Sequence, residues 1–390
     1  MAKVYGLFFV HENGVLSYVT QIWRDRFRRA GYEAESIDLN LSADVARLEG
    51  SLKYGEVAFC FGLQGVGSRL TVQNGESLWT RYRTPFLCLH HDSPSCNIYN
   101  HFCDSPYVAN IYFFQCMYDL QVQFIKSNQI NEPLQFEIEW LPLERGPSFQ
   151  ERPIKYVFVK SGQSPERYAE NISKIKQPMR DAVWAAVEMA EKNENISIGK
   201  LVMDAFVACG LDATKFWREF WGFAGWIEGY IRCKRAADMV NWLKYKDGAV
   251  IVGDGWDFID RDGAKAVFMP SMPMERVERF YLESQFTFNT SPFGRDIIHE
   301  RVFQGLGFHS FVVSDANQWW DDNFAGVPAL YRFHWGADLA SSLDEVIHDP
   351  HAAEKAMSPI GVQRIKEKLY GQAAIPAMVG IVEKVRVFAG

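Results

Sequence analysis

The chain is 390 residues long, 48% apolar and 23% charged, which excludes wholesale disorder and leaves room for two domains. Its net charge of −7, with no basic stripe, argues against a nucleic-acid partner, which needs cations to displace counterions. Seven cysteines, an odd count, point to reduced thiols in the cytoplasm and away from a disulfide framework.

Residues 4–10 read as a buried strand, too short for a signal peptide or a membrane span, and they end at His11-Glu12-Asn13-Gly14. Residues 16–30 follow with helical spacing (Leu16, Val19, Ile22, Trp23, Phe27), a basic last turn and Gly31 as a C-cap. Further strands are expected at 35–39, 56–61, 85–90, 109–115 and 136–141. Alternation of this kind gives a mostly parallel sheet, whose ligands gather at the C-terminal strand ends. The loops starting at His11, Gly62, His90 and Gln115 are therefore the expected site walls of this half. Cys96 and Cys103 lie near His90, His91 and His101, but no pair has the C-x-x-C spacing of a zinc knuckle.

The run 142–147 breaks the pattern and reads as a linker between domains at 1–148 and 149–390. A strand at 156–159 then runs into Lys160-Ser161-Gly162. From 165 to 246 the periodicity is helical, with amphipathic segments at 181–192, 198–208 and 232–244 and an aromatic cluster at 216–226. Strand–helix alternation resumes with strands at 249–252, 266–269, 286–289, 311–314 and 329–333. Helices are expected at 274–284, 300–306, 337–348 and 363–386.

Chemistry concentrates in 286–315, FTFNTSPFGRDIIHERVFQGLGFHSFVVSD. A strand ends at Asn289, a loop follows, and a helix opens with His299, Glu300 and Arg301. A helix N-terminus offers free N–H groups and a positive dipole, and Arg301 adds a bidentate cation, so the unit suits a diphosphate.

Three segments, IVGDGW (251–256), YLESQFTFN (281–289) and HERVFQGLGFHSFVVSD (299–315), make the chain from about Tyr156 onward resemble the spore-maturation-protein-like glycosyltransferases. The resemblance implies an α/β fold of the GT-B type: two Rossmann-like domains facing across a cleft, with a helical insertion and a long C-terminal helix. It implies transfer of a sugar from a nucleotide-sugar donor to a glycan, lipid-linked or protein acceptor, with the nucleotide sugar as co-substrate. It further implies that no metal is needed, since helix dipoles and cationic side chains stabilise the leaving diphosphate. Donor contacts fall on Arg301, His299, Glu300, Asn289, Gly253, Gly255, Lys160, Ser161 and Gly162, with Trp256 placed to stack on a base or to pack. Gln304 stands where the family usually has a Glu that binds the donor ribose; a Gln still hydrogen-bonds a diol but loses the charge-assisted component. On the acceptor side an inverting transferase needs a general base, for which His91 with Asp92 and His11 with Glu12 are the candidates. A sugar epimerase of the same architecture and a non-catalytic binding module are the alternative readings. Peripheral contact with a membrane and a homo-oligomer through the helical block stay open.

Overall fold

The computed structural model describes residues 3–8, 15–124, 128–138, 143, 146–213, 215–291, 294–336 and 338–390. They form two compact units, Met1–Glu137 with Gly371–Gly390, and Ile138–Tyr370.

The first unit is built on six parallel strands in the order β2-β1-β3-β4-β5-β6. Its elements begin with β1 (Lys3–Phe8), α1 (Val15–Arg29), β2 (Glu33–Asp38), α2 (Ser42–Lys53), β3 (Val57–Leu63) and α3 (Leu78–Tyr82). β4 (Phe86–His90), β5 (Val108–Tyr112), α4 (Gln115–Phe124) and β6 (Ile130–Pro133) complete the sheet. β4 and β5 are buried along their whole length, which is why they read as unbroken apolar runs. α1 buries Trp23 and Phe27 and ends at Gly31, whose φ of +90° is the left-handed conformation a C-cap requires.

The second unit has its own six parallel strands, in the order β12-β11-β10-β7-β8-β9. β7 (Ile154–Val159) is followed by four helices, α5 (Glu166–Ser173), α6 (Met179–Lys192), α7 (Ile198–Ala208) and α8 (Trp217–Leu243). Next come β8 (Ala249–Val252), β9 (Val267–Met269), α9 (Met274–Leu282), β10 (Ser284–Asn289), α10 (Glu300–Gly307) and β11 (Phe311–Asp315). α11 (Gln318–Phe324), β12 (Leu330–Phe333), α12 (Leu339–Ile347), α13 (Ala352–Ala356), α14 (Ile360–Leu369) and α15 (Ala374–Ala389) close the chain. The aromatic cluster opens α8, a single helix of 27 residues, and buries Phe220, Trp221 and Phe223. The C-terminal half of α8 packs Ala236, Met239, Val240 and Leu243 into one core with Phe158, Phe288 and Trp256.

Two expectations are corrected. The last strand of the first sheet among the described residues is 130–133; of the expected 136–141, residues 136–138 are not in a strand and 139–141 lie outside the described residues. The strand 130–133 is a half-exposed edge strand of Ile-Asn-Glu-Pro, so no apolar run marks it. The expected final helix breaks into α14 and α15 around Gly371, where a Cβ would lie 2.6 Å from the Glu137 carboxylate. That carboxylate accepts the N–H groups of Ala373 and Ala374 (3.1 and 3.2 Å), starting a new helix with Pro376 in its first turn. α15 therefore belongs to the first unit and packs beside β4, β5 and β6, where the sequence reading had put it in the C-terminal domain.

Candidate anion-binding site

The C-terminal ends of β7, β8, β10 and β11 carry the residues singled out in the second unit. Lys160 follows β7, and its ammonium donates to the Thr290 hydroxyl (2.8 Å) and carbonyl (3.3 Å) at the end of β10. Desolvation, and then the charges of Arg232 and Arg301, hold Lys160 well below the ordinary lysine range, against the opposing pull of Asp315.

The glycines beside it are there for close approach. Gly253 has φ +141° and a Cβ on it would lie 2.3 Å from the Lys160 carbonyl oxygen; Gly255 has φ +81° and would meet the Gly162 carbonyl at 2.3 Å. Gly162 in turn leaves room for the Trp256 ring. Trp256 is 1% exposed and donates its indole N–H to the Lys160 carbonyl at 2.9 Å, so it packs and holds the β7 end in place, with no face left to stack on a base. Ser161 is exposed at the tip.

His299 caps α10, and Glu300, Arg301 and Gln304 lie within it. The His299 imidazole is held down to about 4 by desolvation and by Arg301, and is therefore neutral near pH 7. Its Nε2 meets the Arg301 guanidinium and its Nδ1 lies 2.9 Å from the Glu300 carboxylate. A neutral ring that donates from Nδ1 to Glu300 and accepts at Nε2 from Arg301 gives up the longer contact in which Nδ1 faces the Arg301 backbone N–H (3.4 Å). Desolvation alone would raise the Glu300 carboxyl, but His299 and Arg301 outweigh it and bring it down to about 2. An ionised acid thus already occupies the first turn of α10, where the sequence reading had placed the diphosphate. The positive charge left for a ligand is on side chains.

Arg301 is 7% exposed, and its Nη1 has no hydrogen-bond partner. Gln304, one turn on, is wholly buried with neither carboxamide atom hydrogen bonded, and the Asn289 Oδ1 is likewise unpaired. The Asn289 Nδ2 donates to the Ser291 and Ser314 hydroxyls (3.1 and 3.0 Å). Asp315 accepts the Ser291 N–H on both oxygens (2.9 and 3.0 Å), fixing the loop after β10.

The helical insertion borders the same strand ends. Glu194, between α6 and α7, accepts the Trp335 N–H (2.6 Å) and pairs with His334 (3.0 Å). Arg235 on α8 lies over the Trp335 ring (5.2 Å), whose indole N–H reaches Asp315 (3.4 Å). Thr290, Ser291, Asp315 and Arg232 are site residues that the sequence reading missed. Thr290 and Ser291 sit one and two places from Asn289, and Asp315 ends the strand that closes the 299–315 segment, whereas Arg232 is a charge in mid-helix with no pattern to distinguish it.

In the first unit, His91 and Asp92 follow β4, and both of their N–H groups point at the Gln64 side-chain oxygen (3.3 and 3.2 Å). The His91 ring lies on Phe113 (centroids 4.3 Å apart). Beneath them His90 stacks on His101 (3.8 Å) and Tyr112 (5.1 Å), with its Nε2 on Asn110 (2.9 Å). Burial pushes the His90 imidazole down to about 3 and His101 well below its ordinary value, so both are neutral core residues. His11 and Glu12 lie outside the described residues.

Among the described residues, no group of three or more His, Cys, Asp or Glu side chains is placed to hold a metal ion. Asp260-Arg261-Asp262 has Asp-x-Asp spacing, so the sequence does carry such a motif. It forms an exposed turn in which the Asp260 carboxylate accepts the Asp262 N–H (3.0 Å). No described helix is long and apolar enough to cross a membrane.

Comparison with known structures now decides the architecture. An α-glucosyltransferase in complex with UDP-glucose and DNA containing an abasic site superposes with a TM-score of 0.54 at 8% identity, covering 98% of this chain and 99% of the other. Anabaena HepE in complex with UDP-glucose gives 0.53 at 12% identity over 98% and 100% of the chains. Sucrose-phosphate synthase from Thermosynechococcus elongatus gives 0.53 at 8% identity over 99% of each.

The fold is GT-B.

Residues 234–372, from mid-α8 to just past α14, match the family model described as glycosyl transferase-like. The matched stretch contains the segments 251–256, 281–289 and 299–315. No curated protein sequence matches the chain.

Proposed function

We propose that this GT-B protein is a glycosyltransferase that binds a nucleotide sugar at the C-terminal edge of its second sheet. The observation that carries the reading is the pairing of Lys160 and Arg301. A part-buried Lys160 and a buried Arg301 bear on one another as like charges, and one guanidinium nitrogen is left unpaired. Keeping such charges together in a folded protein costs stability unless an anion joins them. A diphosphate supplies that anion. The unpaired carboxamide of Gln304 stands at an expected cost of roughly 1–3 kcal/mol for each unsatisfied group; it is wholly buried, so its proposed contact with the donor ribose requires α10 to uncover it when the donor binds. Two structural neighbours of the same fold, HepE and the α-glucosyltransferase, were solved with UDP-glucose, which makes a uridine nucleotide the first to try.

In this scheme the glycosidic C–O bond breaks towards the diphosphate, whose growing negative charge Lys160 and Arg301 stabilise without a metal. His299 and Glu300 position Arg301, Asn289 orders Ser291, and Gly253, Gly255, Gly162 and Trp256 shape the Lys160–Gly162 turn. Ser161, exposed on that turn, is within the donor-facing loop. His91 with Asp92, and His11 with Glu12, are proposed for the acceptor side, where one of them takes the acceptor hydroxyl's proton. The acceptor class is a glycan, a lipid-linked intermediate or a protein, and the working compartment is the cytoplasm. Within the matched family we place the chain in the spore-maturation-protein-like branch.

The test is thermal stabilisation by UDP-, GDP-, CMP- and dTDP-sugars. One of them should raise the midpoint clearly, since ligand at a hundred times its Kd adds about 2.7 kcal/mol. Arg301→Ala should abolish the rise; stabilisation by none of them would overturn the reading.

A further inference from the structure

α8 brings a third cation to the site. Gly229, Arg232, Cys233 and Ala236 stand at i, i+3, i+4 and i+7 and so share one face of the helix. That face lies against the end of β7 and the start of α5. A Cβ on Gly229 would be 2.3 Å from the Tyr168 ring, and the Cys233 thiol donates to the Gln163 side-chain oxygen at 3.8 Å. The Tyr168 hydroxyl reaches the same oxygen at 3.3 Å. Gln163 is three residues from Lys160, so Arg232 is carried towards the cation pair. Its charge disfavours the protonated forms of both Lys160 and Arg301.

We propose that Arg232 is a phosphate-binding residue contributed by the helical insertion, and that it acts on the charge that appears on the diphosphate as the sugar leaves. The inference rests on the donor reading above. Two acids of the site are already engaged, Glu300 by His299 and Asp315 by the Ser291 N–H and Trp335. A nucleotide sugar brings two negative charges on its diphosphate. When the glycosidic bond breaks, its electron pair stays on the terminal phosphate oxygen, which gains a third. The acceptor oxygen forms the new bond and gives up its proton. A third cation therefore interacts more strongly with the departing nucleoside diphosphate than with the intact donor, and that difference lowers the barrier. On this account the insertion is part of the donor site, and it does not serve acceptor choice alone.

The experiment compares wild type, Arg232→Ala and Arg232→Lys in calorimetric titrations with UDP, GDP, ADP, CDP and dTDP and with the matching monophosphates. For the diphosphate that binds, Arg232→Ala should weaken affinity about tenfold or more and leave the monophosphate unchanged, with partial recovery in Arg232→Lys. In turnover, kcat should fall with little change in donor KM. Equal diphosphate affinity in wild type and Arg232→Ala would overturn the inference while leaving the donor reading intact. Equal losses for mono- and diphosphate would do the same, by assigning Arg232 to packing. If no nucleotide binds wild type, the donor reading and the inference fall together.

Discussion

At the C-terminal edge of the first sheet, His90, His101, Tyr112 and Asn110 bind one another and stay uncharged. At the corresponding edge of the second sheet, Lys160, Arg301 and Arg232 are held near one another against their mutual repulsion. The two sheets share strand number, parallel direction and helical cover, and a reader of topology alone would assign both edges the same role. The side chains separate them. A neutral, stacked network stabilises its unit even with the His90 Nδ1 left without a partner, whereas like charges kept together beside the unpaired Arg301 Nη1, Asn289 Oδ1 and Gln304 carboxamide mark a place where an anion would complete the bonding.

Replacing one residue on each edge should give opposite results. Lys160→Met removes a desolvated cation, so nucleoside diphosphate affinity should fall about a hundredfold while the unliganded midpoint stays level or rises. His90→Ala removes a buried ring and strands Asn110, so stability should drop by about 3 kcal/mol with nucleotide affinity unchanged. If both variants lost stability and neither lost affinity, the contrast between the edges would be broken. Differential scanning calorimetry with and without nucleotide reads both quantities.

A smaller effect separates the edges by pH. His90 has a folded value near 3 against an ordinary 6.5, so the unfolded chain binds its proton more readily than the folded one. That contribution is complete above pH 6.5 and is lost progressively towards pH 3; midpoints for wild type should fall over this window, and less steeply in His90→Gln. Lys160, also depressed, behaves differently on binding. A diphosphate favours its protonated form, so affinity weakens as pH rises through the lysine's lowered value, and binding takes up a proton over that range of pH. Calorimetry in buffers of different ionisation enthalpy detects the uptake; identical heats in all of them would remove Lys160 from the phosphates.

Strands whose residues are buried on both faces, such as 86–90 and 311–315, were legible because nothing polar interrupts them. The edge strand 130–133 was not, since half-exposed Asn and Glu carry no such signal. The break at Gly371 depends on Glu137, 234 positions earlier, and no local pattern anticipates it. In the site, Lys160 and Arg301 were legible because each follows or opens an element at the ligand-binding end of the sheet. Glu300 occupying the first turn of α10, and Trp256 being consumed by packing, follow from contacts that only the folded chain makes. Arg232 looked like any solvated helix charge until Gln163 and Tyr168 placed its face.

The central claim is that the second sheet's edge holds the diphosphate. A crystal structure of the protein with the nucleoside diphosphate that stabilises it most tests this directly. The account predicts phosphate oxygens within hydrogen-bonding distance of the Lys160 ammonium and the Arg301 Nη1. A diphosphate bound instead beside His91 and Asp92, with Lys160 still on Thr290 and the Arg301 Nη1 still unpaired, would contradict it.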